Sequence, residues 1–141
     1  MDPRDDLRSV FWSAFAGATR AVTRARDAML ERHGINTGQL SILARLWADD
    51  GLSPGEIARA LDQPTAMVTG AAAEMEAAGL IQRQGGHPVT LRLTVRGREM
   101  EKIIDRDMRT LGEHVLSSFD DAERGQLIAF LRAVRTNASG G

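Results

Sequence analysis

The chain has 141 residues, 43% hydrophobic and 26% charged, with a net charge of −1. That suits one domain with its own core, and bulk electrostatics announce no nucleic-acid partner. Cys is absent, which excludes disulfides, thiolate metal sites and cysteine redox chemistry.

No apolar run approaches the roughly 18 residues that span a membrane. The mixed-charge start "MDPRDDLRSVF" does not open a signal peptide, so a cytoplasmic protein is expected. Abundant Ala and the absence of Tyr lean helical. Lys102 is the only Lys, the other seventeen basic residues being Arg, and no block of like charge marks an interaction tail.

Residues 4–32 read as one long helix, since Val10, Phe11, Ala14, Phe15, Ala18, Val22, Ala25 and Met29 recur at three- and four-residue steps. Pro3 suits its start and Gly34 its stop. Its long apolar stripe fits either a core helix or a dimer helix. A second helix lies within "NTGQLSILARLWADDG" (36–51), with Thr37 as N-cap and Leu40, Leu43, Leu46 and Trp47 facing inward. "SPGEIARAL" (53–61) is a third start signal: Ser53 caps, Pro54 takes the first helical position and Glu56 completes a capping box. Asp62 is the expected cap of a fourth helix, which carries "PTAMVTGAAAEMEAAGL" (64–80) and ends at Gly79.

The period then changes. "LIQRQ" (80–84) and "VTLRLT" (89–94) alternate as strands around a "GGHP" turn, giving a hairpin. Thr94 caps a long helix running to about Ser118. Asp120 and Glu123 then mark the start of a last helix, and the tail 137–141 is expected to be disordered. The series describes a mainly α fold, an α+β winged helix-turn-helix with six helices and a short β-hairpin wing. In that arrangement the fourth helix presents its N-terminal half to a major groove. Residues 36–96 make the winged lobe, and 4–34 and 97–136 supply a helical dimerisation region.

The stretches "GQLSILARLWADDGLSPGEIARAL", "VTGAAAEMEAAGLIQR" and "LRLTVRGREM" resemble the MarR family of bacterial transcriptional regulators over nearly the whole chain. The Leu-Thr-x-x-Gly-Arg element at 93–98 is the most telling piece. The resemblance implies a single MarR-like domain over 1–141 that forms a homodimer. It implies a repressor binding a pseudo-palindromic double-stranded operator, responsive to a small aromatic or phenolic effector. Trp12, Phe15, His33, Arg45 and Met108 come from the helices that surround the family's usual effector site, and an aromatic wall with one Arg suits an aromatic acid.

Two departures from the family bear on DNA. The stretch from Ala60 to Gln82 contains no basic residue but holds Glu74 and Glu76, and Gly70 follows Thr69 where the family often has Arg. A mid-helix Gly costs about 1 kcal/mol relative to Ala. Close packing or drift accounts for Gly70 on one reading, close approach to DNA or to a neighbouring helix on another. The wing is short and lacks Asp-Arg, and His87 lies nearest that position, either as a minor-groove probe or as a solvated turn residue.

The remaining DNA candidates are Gln63, Thr65 and Thr69 for base edges or phosphates, and Ala66, Met67 and Thr methyls for thymine methyl groups. Arg83 and Arg92 are candidates for phosphates from the hairpin, and backbone amides near Thr37 and Ser53 for phosphates at helix starts. So few cations predict weak binding and a shallow salt dependence. The alternative is a protein of this fold with weak or lost DNA binding, acting through protein or small-ligand contacts.

No spacing supports catalysis. His33, His87 and His114 are scattered, and neither a phosphate-cradling loop nor a nucleophile elbow is present. The expectation is no enzyme, no catalytic residue, no metal site and no cofactor.

Overall fold

A computed structural model describes residues 2–140, apart from the side chain of Asp5. Six helices and one hairpin follow in order: α1 (Pro3–Arg32), α2 (Thr37–Ala48), α3 (Pro54–Leu61), α4 (Thr65–Ala77), β1 (Ile81–Gln84), β2 (Thr90–Leu93), α5 (Val95–Val115) and α6 (Asp121–Ser139). The chain forms two compact units, one ending at Asp107 and the other beginning at Met108.

The core of the first unit is built where the apolar periods meet. Leu43 and Leu46 of α2, Ile57 of α3, Val68 and Met75 of α4, Leu80 just before β1, and Ile81 and Leu91 of the hairpin are almost completely buried. Each such side chain contributes about 1.5–3 kcal/mol by leaving water. Met29 and Leu30 of α1 and Met100 and Ile104 of α5 join the same cluster. The core therefore reaches beyond the 36–96 lobe expected from sequence.

The rest of the α1 stripe stays in water. Leu7, Val10, Phe11, Trp12, Phe15 and Val22 are all exposed, so most of α1 is not a core helix of this chain. Phe11, Trp12 and Phe15 form an aromatic cluster, Phe11 stacking on Phe15 with ring centres 5.9 Å apart and meeting Trp12 edge-on at 5.3 Å.

Local chemistry sets the helix ends, and several differ from expectation. Asn36, not Thr37, caps α2: its side chain accepts from the Gln39 amide, and the Gln39 side chain accepts from the Asn36 amide. Thr37 is already the first helical residue, and its hydroxyl donates to Asp27 at 3.0 Å. Ser53 caps α3 as expected, but its hydroxyl also donates to the Glu56 carboxylate at 3.1 Å, which replaces the return bond of a capping box. Asp62 does not cap α4. It closes α3 in the left-handed conformation at φ 52°, and α4 starts after Pro64 with no side-chain cap. At the other end of α4, Gly79 at φ +77° lets the Leu80 and Gly79 amides reach the Met75 and Glu76 carbonyls, closing the helix.

The hairpin is antiparallel, with Ile81 opposite Leu93 and Arg83 opposite Leu91. It is tied to the α2–α3 loop through the Leu91 amide to the Leu52 carbonyl at 2.8 Å, and the Gly51 amide to the Leu91 carbonyl at 3.1 Å. Asp50 adds to this by accepting from the Leu93 amide at 2.9 Å. Thr94 caps α5, accepting from the Gly97 amide while donating to the Gly79 carbonyl. Gly97 is required by close approach, because a Cβ there would collide with the Leu80 carbonyl. The Trp47 indole donates to the Gly97 carbonyl at 2.9 Å.

In the second unit, Asp120 and Glu123 form the full capping box of α6. Arg124 joins its first turn to the end of α5 through Glu113 and the Leu116 carbonyl. No residue of α6 is buried, and Ile128, Phe130, Leu131 and Val134 are exposed. The helix continues to Ser139, through most of the stretch for which a disordered tail is expected, while Gly141 lies outside the described residues.

Candidate nucleic-acid interface

The base-reading candidates lie together. Gln63, Thr65, Ala66, Met67, Thr69 and Gly70 are all exposed, on α4 or the turn that leads into it, and Val68, Ala72 and Met75 turn the opposite side of α4 into the core. The Thr69 hydroxyl donates to the Thr65 carbonyl one turn back at 3.0 Å, so it offers its oxygen outward as an acceptor. A Cβ built on Gly70 meets nothing within 4 Å. Packing within the chain is therefore not the reason for that glycine.

The two acids of α4 are both held by neighbours. Glu74 Oε2 accepts from the Gln39 side chain at 3.0 Å, and Gln39, 8% exposed, is also the residue that completes the α2 capping box. Glu76 Oε2 accepts from the Arg83 amide at 3.0 Å, and its Oε1 accepts from the Arg83 guanidinium at 3.1 and 2.9 Å. The Arg83 hydrogen bonds hold the Glu76 carboxyl below the usual carboxylate range. The same bonds change the expectation for Arg83, whose guanidinium is neutralised by Glu76 in place of standing ready for a phosphate.

Arg92 lies exposed on β2, opposite Gln82, with its guanidinium over Gly51 and no carboxylate partner among the described residues. His87 is exposed at the hairpin tip. The start of α2 leaves the Thr37 and Gly38 amides outside the helical ladder, a geometry that suits a phosphate oxygen. At Ser53 the hydroxyl is already engaged, donating to the Glu56 carboxylate at 3.1 Å.

Sequence reasoning missed Arg59. It is exposed on the last turn of α3 and lines a shallow cavity with Asp62, Gln63, Pro64 and Thr65 at the foot of α4. It has no carboxylate partner among the described residues. The signal was present, since Arg59 is the last cation before the basic-free stretch.

The effector candidates are spread along the chain. Phe15 and His33 are separated along α1 by about 27 Å at helical rise, and Trp12 is further still. The Arg45 guanidinium is exposed and donates to the Ala60 carbonyl at 3.4 Å. Met108 belongs to the second unit. His33 does line a cavity of about 630 Å³, with Arg32, Arg96, Glu99, Met100 and Ile103. Its Nε2 donates to Asp107 at 2.6 Å, which holds the Asp107 carboxyl below the usual range, with Arg106 adding to the effect. Among the described residues no cluster of His, Cys, Asp and Glu fits a metal ion, and no helix is long and apolar enough to cross a membrane.

Comparison with known proteins follows the same outline. The MarR family profile matches residues 35–86. The HTH-type transcriptional regulator TtmR of Methylorubrum extorquens (strain PA1) is 30% identical over 139 residues, covering 94% of this chain and 70% of that protein. Among solved structures, YusO from Bacillus subtilis superposes with a TM-score of 0.80 at 21% identity, over 94% of this chain and 96% of that one. MepR, a transcription regulator of the Staphylococcus aureus multidrug efflux pump MepA, gives 0.75 at 22% identity, over 89% and 96%.

Proposed function

Because this chain belongs to the MarR family and is a transcriptional regulator of that type, we propose that it acts in the cytoplasm as a dimeric repressor. Each protomer lays α4 in a major groove of a pseudo-palindromic operator. The observation that carries this reading is the outward face of α4. Thr65, Ala66, Thr69 and Gly70 are free to approach base edges, while Gln39 and Arg83 hold the two acids of the helix. Thr and Gln supply polar contacts, Ala66 and Met67 apolar ones, and Gly70 lets the backbone come close.

Phosphate contacts fall to Arg59, Arg92 and the α2 amides, with His87 at the wing tip beside the minor groove. This is a short set, and it implies a modest electrostatic share of the affinity. Dimerisation accounts for the uncovered apolar side chains of α1 and, separately, of α6. Trp12 at 66% and Phe130 at 59% exposure are larger than a lone soluble chain needs to show.

Effector control is placed at the His33 cavity. Arg32 and Arg96 suit the carboxylate of an aromatic acid, with Glu99 the one acid among them, and Met100 and Ile103 suit its ring. The second reading, a protein that has lost DNA affinity, draws on the neutralised Arg83 and the lack of cations on α4. Gel-shift titration of the purified protein on DNA from upstream of its own coding sequence, against a scrambled duplex, tests the first reading. A complex specific for the upstream DNA is expected, and its absence at low salt favours the second.

A further inference from the structure

A groove of about 460 Å³ runs between α2 and α4, a size that accepts a small molecule. Its floor is apolar: Ile42 and Val68 are buried, and Leu61 packs half-buried against the same core. Met67, 61% exposed, stands at its edge and brings a flexible apolar side chain. Among the described residues Glu74 is the sole charged one lining it. Its Oε2 is engaged by Gln39, and its Oε1 has no hydrogen-bond partner among the described residues.

One carboxylate oxygen over an apolar floor, with no cation among the described residues that line the groove, attracts a positive charge and repels an anion. We infer that this groove is a binding site for a small organic cation with an apolar body. The charged nitrogen sits at Glu74 Oε1, and the body lies over Ile42, Leu61 and Val68. The site shares no residue with the His33 cavity, which carries Arg32 and Arg96 beside Glu99. Met67 and Gly70 line the groove and also belong to the proposed DNA-facing set, so an occupied groove and a bound operator exclude one another. This last step rests on the proposed DNA-binding function; the binding itself does not.

Calorimetric titration with 4-phenylbutylammonium, 4-phenylbutanol and 4-phenylbutyrate tests the site, since the three share one apolar body. The cation should bind about fivefold tighter than the alcohol, the size of a partly exposed charge pair, and the carboxylate should bind weakest. Equal affinity for cation and alcohol overturns the inference. Glu74→Gln keeps an acceptor for Gln39 and should lower the affinity for the cation to that for the alcohol; an unchanged cation affinity overturns it. Ala71→Met fills the groove and should weaken binding of the cation and the alcohol, and retained binding also overturns it. Amide shifts on adding the cation should centre on Ser41, Val68 and Ala71, and a response centred on His33 contradicts the assignment. In DNA titrations the cation should raise the apparent Kd of the wild type, and about fivefold more cation should be needed for the same rise with Glu74→Gln. Undiminished DNA binding with the groove filled overturns the exclusion. A wild type that binds the cation but no DNA removes the DNA-binding reading and leaves the groove standing.

Discussion

Glu76 on α4 and Arg83 on β1 hold each other through three hydrogen bonds, from the Arg83 amide to Oε2 and from its Nε and Nη2 to Oε1. One acid thus fixes α4 against the first strand of the wing, and one wing Arg serves that architecture. The sign of its pH dependence follows. Glu76 has a folded pKa below its ordinary value because Arg83 favours the charged form. Its contribution to stability is complete above the ordinary Glu range and is lost as pH falls through the folded pKa. Melting curves from pH 7 to pH 3 should show Glu76→Gln less stable than wild type at neutral pH, with the gap closing in acid. A gap that widens in acid contradicts this assignment.

Gly70→Ala separates fold from function. A Cβ there meets nothing in the chain, so the substitution should stabilise the protein by up to about 1 kcal/mol in urea unfolding. With α4 docked in the major groove as proposed, the same substitution should weaken operator binding, because the added methyl fills space between the backbone and DNA. Loss of stability, or unchanged affinity, opposes the role given to Gly70.

Arg59→Ala and Arg92→Ala should each weaken all DNA sequences alike and reduce the salt slope by about one per half-site. Arg83→Ala should instead lower stability with little change in slope, since its charge is already matched by Glu76. Filter-binding titrations at several salt concentrations, paired with melting curves, distinguish the two behaviours. A slope change for Arg83→Ala as large as that for Arg59→Ala would reverse the assignment.

Much of this was legible in the sequence, and the gaps have physical causes. The six helices and the hairpin followed from apolar period and from strong end signals such as Asp120 with Glu123 and Gly79. Adjacent polar residues were harder to assign. Asn36 and Thr37 can both cap, and the choice fell to Asn36 because Gln39 stands three residues after it to return the bond. Asp62 looked like a start and proved an end, because a short polar side chain tolerates the left-handed conformation at a helix stop. The pairings Glu74 with Gln39 and Glu76 with Arg83 join residues 35 and 7 positions apart, and no local period reveals them. The candidate site was legible as a helix but not as an electrostatic surface.

Phe130→Glu tests the proposed use of α6. Placing an unpaired charge in a dimer interface costs about 3 kcal/mol of association, about a hundredfold in Kd. Sedimentation equilibrium should find wild type at twice the chain mass and the variant shifted toward the single chain. A wild type that sediments as one chain at micromolar concentration removes the dimer from the account.

As proposed, this regulator reads DNA with an α4 that lacks cations and is supported by few phosphate contacts. The direct measurement is the affinity of the purified protein for its own upstream DNA across a salt series from low to physiological strength. A specific complex is expected, whose plot of log K against log salt has a slope well below about ten in magnitude, the steepness of a dimer rich in phosphate contacts. A slope near ten, or no specific complex at low salt, would contradict it.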